Sequence, residues 1–163
     1  MLYYFYIQFG KSKNYKRPYL TADVIVFDKD NRILLIRRKG HPFIGRYAFP
    51  GGFAEENENI EQSARRELLE ETGVTDADVV PVGLYSEPGR DPRGWVVSQL
   101  FYSQLKVDVK VAAGDDAADA KWFKIVRDCD KVNLICDTEQ ISIDDLAFDH
   151  AKMLMDVLRL VSI

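Results

Sequence analysis

Apolar positions recur along this chain with two periods, and the changes of period mark its elements. Leu20 to Phe27 (LTADVIVF) is rich in β-branched and aromatic residues, and Ile33 to Arg37 (ILLIR) is apolar. Asp28-Lys29-Asp30-Asn31 between them makes a strand, a turn and a returning strand. Val79 to Tyr85 reads as a further strand, Trp95 to Val109 as one long strand or a strand with a bulge, and Ala120 to Ile125 as a short one. In the middle the period changes. Ile60, Ala64 and Leu68 recur every four residues, one buried stripe of a helix. Asn59 is a good N-cap, and Gln62 completes a capping-box pattern. Gly73 stands where a left-handed residue would end the helix. Asn59 to Thr72 is therefore predicted as a capped amphipathic helix. Ile143 to Ile163 carries a second one, with Leu146, His150, Met153, Leu154, Val157, Leu158 and Val161 on its stripe. Asp130 to Ile141 has no clear period. Strands on both sides of one internal helix, then a C-terminal helix, predict an α/β chain with a mixed sheet packed between helices.

The connections carry their own signals. Gly40, Pro42 and Gly45 punctuate a loop from Lys39 to Tyr47. Ala48-Phe49-Pro50 leads into Gly51-Gly52, where consecutive glycines let the backbone approach a ligand or metal closely. Ser86 to Gly94 (SEPGRDPRG) is a short loop stiffened by prolines, and Ala112 to Asp119 (AAGDDAAD) is an acidic one. Met1 to Phe9 (MLYYFYIQF) is too short to span a membrane and lacks the basic start and cleavage site of a signal peptide. It reads as a strand that pairs with the sheet or with a second subunit, which makes a homodimer the expectation. Lys11 to Arg17 is a basic linker, so residues 1–17 stand apart from a domain over 18–163.

Composition narrows the classes. A chain of 163 residues, 47% hydrophobic and 29% charged, fits one domain with an ordinary core. A net charge of −4 gives no sign of a nucleic-acid surface. Cys129 and Cys136 have no histidine close by, so they fit neither a zinc site nor a disulfide framework and read as reduced thiols in a cytoplasmic protein. His41 and His150 are given no catalytic role.

The internal helix has its charges in the wrong place for stability. Carboxylates help the first turn of a helix and hurt the last, yet Glu67, Glu70 and Glu71 occupy its last two turns. At about 100° per residue they share an arc of roughly 100°. Arg66 relieves part of the repulsion. A bound divalent cation would turn the rest into coordination; the plainer reading is a solvated acidic face.

Spacing decides between the two. Gly52, Glu58, then Arg66-Glu67-Leu68-x-Glu70-Glu71-x-Gly73-Val74 resembles the Nudix box at every fixed position. The resemblance implies a Nudix hydrolase with the family's α/β/α sandwich, cleaving a nucleoside diphosphate linked to another moiety. It implies Mg²⁺ or Mn²⁺ held by Glu67, Glu70 and Glu71 with the Gly51 carbonyl, and structural roles for Gly52, Glu58, Arg66 and Gly73. The loop from Pro88 to Gly94 and the strand after it look like the ADP-ribose pyrophosphatase subfamily. ADP-ribose, giving AMP and ribose 5-phosphate, is then the expected substrate. Arg90 and Arg93 suit a diphosphate, and Asp91 a sugar hydroxyl, unless these residues only lock the loop. Tyr47, Phe49, Tyr85 and Trp95 are candidates to stack on adenine or are core; Phe49 is placed among the substrate contacts. The base is a box glutamate (Glu70, with Glu67 beside it) or Asp115 and Asp116 of the later acidic loop. Rival readings are a Nudix enzyme for damaged nucleoside triphosphates and an ADP-ribose-sensing regulator. Against the regulator, the box is intact and 38 residues follow Ile125, too few for a winged-helix module plus the closing helix.

Overall fold

The computed structural model describes residues 16–107, 109–111, 117–128 and 131–161. These form one sheet of nine strands, β1 (Tyr19–Phe27), β2 (Arg32–Arg38), β3 (Tyr47–Ala48), β4 (Gly51–Phe53), β5 (Val80–Tyr85), β6 (Val96–Gln104), β7 (Ala117–Asp128), β8 (Lys131–Ile135) and β9 (Gln140–Ser142), with helices α1 (Ile60–Thr72) and α2 (His150–Leu160). The main order is β5-β6-β1-β2-β7-β8-β9.

β1 is central, which explains its near-continuous apolar run. It lies parallel to β6 along its full length, from Tyr19↔Val96 to Phe27↔Gln104. Its alternate residues serve two cores. Val24 and Val26 pack with Leu34 and with Ala64 and Leu68 of α1. Ile25 and Phe27 pack with Leu35 and with Met153, Leu154 and Val157 of α2. The sheet is thus covered by a helix on each face, the predicted α/β sandwich.

A split in the sheet makes room for a site. β1 and β2 pair only at Phe27↔Ile33. Beyond that pair β2 takes β3 as its neighbour (Ile36↔Ala48, Arg37↔Tyr47) and β1 takes β4 (Ala22↔Gly52, Asp23↔Gly51). The chain from Tyr47 to Phe53 is wedged into the gap, and the Val24 N–H donates to the Pro50 carbonyl at 2.9 Å.

α1 forms as its sequence predicts. Asn59 accepts from the Gln62 N–H at 2.9 Å, Gln62 accepts from the Asn59 N–H at 2.8 Å, and Gly73 ends the helix at φ 76°. Other elements depart from expectation. β6 stops at Gln104 rather than Val109, because β1 ends opposite it at Phe27. β7 is longer than Ala120–Ile125, since it pairs with β2 at its start and with β8 at its end. The aperiodic stretch from Asp130 holds β8 and β9, too short to show alternation. The C-terminal helix begins at His150, not Ile143. Before it come a short 3₁₀ turn (Ile143–Asp145), Leu146 in extended conformation and Phe148 at φ 54°, all incompatible with one continuous helix. Met1–Phe9, where a strand is predicted, and Cys129, Asp115 and Asp116 lie outside the described residues.

Candidate active site

A cleft of about 590 Å³ opens at the split in the sheet. One wall is acidic. Glu67 and Glu71, one turn apart on α1, face the Gly51–Gly52 backbone. Glu71 is 8% exposed and accepts the Gly51 N–H at 2.9 Å. A Cβ built on Gly51 would overlap the Ala22 carbonyl and the Asp23 backbone, so glycine is required there; one on Gly52 would meet only the Glu67 carboxylate and displace it. Glu70, one turn before Gly73, is more open, its side chain 58% exposed.

Arg66 is the hub of this wall. Its guanidinium donates to Glu58 at 2.7 and 3.1 Å, to Glu67 at 2.7 Å, to Glu70 at 3.2 Å and to the Phe53 carbonyl at 3.0 Å. It pins the acidic loop to the helix, and its hydrogen bonds hold the Glu58 carboxyl down at about 2. Burial acts oppositely on the other two acids. It pushes Glu71 up to about 8, against the Gly51 hydrogen bond, and raises Glu67 against the pull of Arg66.

As placed, no three His, Cys, Asp or Glu side chains among the described residues converge into a metal cage. Arg66 instead stands between Glu67 and Glu70 as a cation would. The donor chemistry nevertheless fits a hard divalent ion: three carboxylates on one helical face, oxygen ligands only, and at Glu71 a buried acid beside the like charges of Glu67 and Asp23, which the more weakly acting Arg38 does not offset. Gly51 takes part through its N–H, which orients Glu71.

The opposite wall is basic. Arg38 is half-buried, donates to the Pro42 carbonyl at 2.9 Å and lies 4.9 Å over the Phe148 ring. Burial and the nearby Arg93 lower its pKa. Arg93 lies between the rings of Phe53 at 4.5 Å and Phe148 at 5.1 Å. Asp91, 3% exposed, holds it through bonds of 2.6 to 3.1 Å. Sequence reasoning missed Arg38 and Phe148. A basic pair ending an apolar strand is too common to single Arg38 out, and Phe148 is 110 residues away in sequence.

Other expected contacts are placed differently. The Arg90 side chain is 4% exposed and makes a bidentate pair with Asp149 at 2.6 and 2.9 Å, so of the two loop arginines Arg93 is the one on the main cleft. Both Asp91 oxygens accept from Arg93, which leaves the loop-locking role as the one the geometry favours. Tyr47, Phe49 and Tyr85 belong to the core, because their rings face apolar neighbours. Tyr47 donates its hydroxyl to Glu139 at 2.6 Å, Tyr85 to Asp156 at 3.0 Å, and Phe49 stacks on His150 at 4.7 Å. Trp95 is 54% exposed and does not line the cleft; Phe53, which sequence reasoning passed over, does.

A helix-flanked mixed sheet, with an intact box presenting its glutamates to one cleft, defines the class. The NUDIX domain profile matches residues 17–127, and the chain belongs to the Nudix hydrolase family. It is 39% identical over 149 residues to the ADP-ribose pyrophosphatase of Methanocaldococcus jannaschii, covering 91% of this chain and 78% of that protein. It is 32% identical to the ADPR responsive transcriptional repressor NtrR of Acinetobacter baylyi, over 92% of this chain and 56% of the repressor. Among solved structures, the NUDIX domain of Shewanella oneidensis NrtR, complexed with ADP ribose, superposes at a TM-score of 0.75 with 26% identity, over 99% of both chains. A MutT/nudix family protein from Enterococcus faecalis gives 0.86 at 34% identity, over 98% of this chain and 67% of that one.

Proposed function

We propose that this protein hydrolyses ADP-ribose to AMP and ribose 5-phosphate with Mg²⁺ or Mn²⁺ held by Glu67, Glu70 and Glu71. The observation that carries the reading is the two-walled cleft: carboxylates on α1 face Arg38 and Arg93 across about 590 Å³, an arrangement suited to a diphosphate between a cation and guanidinium groups. The likeness to an ADP-ribose pyrophosphatase, and to a domain complexed with ADP ribose, supports this substrate.

When bound, the ion neutralises the diphosphate and lowers the pKa of a water molecule. The chain's own residues do the rest. Arg66 keeps the acidic loop on the helix, and Gly51 aims Glu71. Arg93, already oriented by Asp91 and two rings, has an Nη1 that makes no hydrogen bond among the described residues and is left for a phosphate oxygen. Water adds across the P–O–P linkage and one P–O bond breaks. The proton from water goes to Asp116 or Asp115, which precede β7 in sequence, because Glu70 is taken up as a ligand. On sequence grounds the protein acts in the cytoplasm as a homodimer joined through its aromatic N-terminal segment, with no nucleic-acid partner. No helix among the described residues is long and apolar enough to cross a membrane.

The likeness to an ADPR responsive repressor favours one second reading, a sensor that binds the same ligand without turnover. One experiment separates them. Incubation with ADP-ribose and Mg²⁺ should release AMP, and EDTA should abolish the release. Full turnover in EDTA would overturn the metal assignment, and binding without turnover would favour the sensor.

A further inference from the structure

The start of α2 is tied to the cleft in a way that packing alone does not require. Asp149 occupies its N-cap, a position its side chain is well suited to cap, yet makes no capping bond. Its carboxylate is turned to Arg90. His150, the next residue, is 2% exposed and its ring is stacked on Phe49 at an interplanar angle of 6°. Its Nδ1 accepts the Phe49 N–H at 3.0 Å.

That bond fills a particular gap. Phe49 falls between two ladders: β3 ends on β2 at Ala48, and β4 begins on β1 at Gly51. Pro50 has no N–H to give, and a buried Phe49 N–H without an acceptor would be unsatisfied. The next N–H along, that of Gly51, goes to Glu71. His150 and Glu71 therefore hold neighbouring amides of one short segment. The imidazole Nε2 lies 3.6 Å from Asp23 Oδ1, and Asp23 pairs with Gly51 in the sheet and accepts the Ser98 hydroxyl. Burial lowers the His150 pKa, so the ring is neutral, with its proton on Nε2 and Nδ1 free to accept.

We propose that His150 is a positioning residue for the hydrolysis: through the Phe49 N–H it fixes the Pro50–Gly52 backbone on which Glu67 and Glu71 are set. This rests on the function proposed above. It makes α2, remote from the box in sequence, part of the site's support.

Full-length His150→Phe and His150→Asn test it. Phenylalanine keeps a ring on Phe49 and removes both nitrogens; the asparagine Oδ1 replaces Nδ1 as acceptor. In His150→Phe, hydrogen exchange over residues 47–53 should quicken at least about tenfold with β1 and β6 unchanged. Mn²⁺ affinity, followed by electron paramagnetic resonance, should fall about tenfold, and kcat about 10–100-fold with KM moving far less. His150→Asn should restore all of these to within about threefold of wild type. Wild-type exchange and Mn²⁺ affinity in His150→Phe would overturn the proposal, as would a folded His150→Asn as impaired as His150→Phe. If His150→Phe does not fold, His150→Asn decides alone, since it must stay near wild type. If the wild-type protein leaves ADP-ribose intact, the proposed function fails, while the exchange and Mn²⁺ readouts still test the role of His150.

Discussion

Replacing Glu71 by glutamine should change how the stability of the metal-free protein depends on pH. Burial pushes this carboxyl from its ordinary 4.5 up to about 8. A carboxyl with a higher pKa folded than unfolded stabilises the fold fully below its unfolded value. That contribution is lost as pH rises through the folded value, because ionisation then leaves a charge buried beside Glu67 and Asp23. The window is therefore pH 4.5 to 8. One proton over that span amounts to about 5 kcal/mol at most, and relaxation and water entry reduce it to about 2–4 kcal/mol. For a chain of this size each kcal/mol moves Tm by about 2–4 °C. In EDTA, between pH 5 and 9, wild-type Tm should therefore fall relative to Glu71→Gln by about 4–16 °C. Glutamine keeps an acceptor for the Gly51 N–H and does not titrate, so the comparison cancels other groups. Mn²⁺ should reverse the trend in the wild type, since the ion displaces the proton: affinity should rise by up to about tenfold per pH unit until about pH 8. Parallel Tm–pH curves for the two proteins would show that Glu71 is not held protonated by burial in the metal-free fold.

The two glycines of the cleft should separate stability from metal binding. Gly51→Ala drives a Cβ into backbone and should cost about 1–3 kcal/mol, read as a lowered Tm. Gly52→Ala meets the movable end of Glu67 and should leave Tm nearly unchanged while weakening Mn²⁺ binding by about tenfold; the reverse ranking would contradict the geometry. The loop arginines should separate as well. Arg93→Ala should raise KM for ADP-ribose by about tenfold with a smaller effect on kcat. Arg90→Ala, which strands Asp149, should lower Tm by several degrees, and an Arg90→Ala protein of wild-type Tm would count against that pairing.

α1 was legible to the residue because its signals are local: a cap at Asn59, its reciprocal partner three residues on, a four-residue stripe and a terminal glycine. β1 and β2 were legible for the same reason. What lay hidden is long-range. Arg90 meets Asp149 from 59 residues away, the Phe49 N–H meets His150 from 101, and no periodicity encodes such pairs. Local pattern also misled. The apolar stripe from Leu146 to Val161 reads as one helix, but the left-handed Phe148 breaks it and turns its ring towards Arg38 and Arg93. His150 looked like one more position on that stripe. Its burial fits the stripe; its hydrogen bond to Phe49 could not be read from it.

Hydrolysis of ADP-ribose in the cleft between α1 and the two arginines is open to direct measurement. The most direct test is kcat/KM with Mg²⁺ for ADP-ribose, 8-oxo-dGTP, dATP and GDP-mannose, with products identified. ADP-ribose should be preferred by at least about tenfold, with AMP and ribose 5-phosphate formed in equal amounts. Preference for a nucleoside triphosphate with release of pyrophosphate would rule out ADP-ribose as the substrate of this cleft.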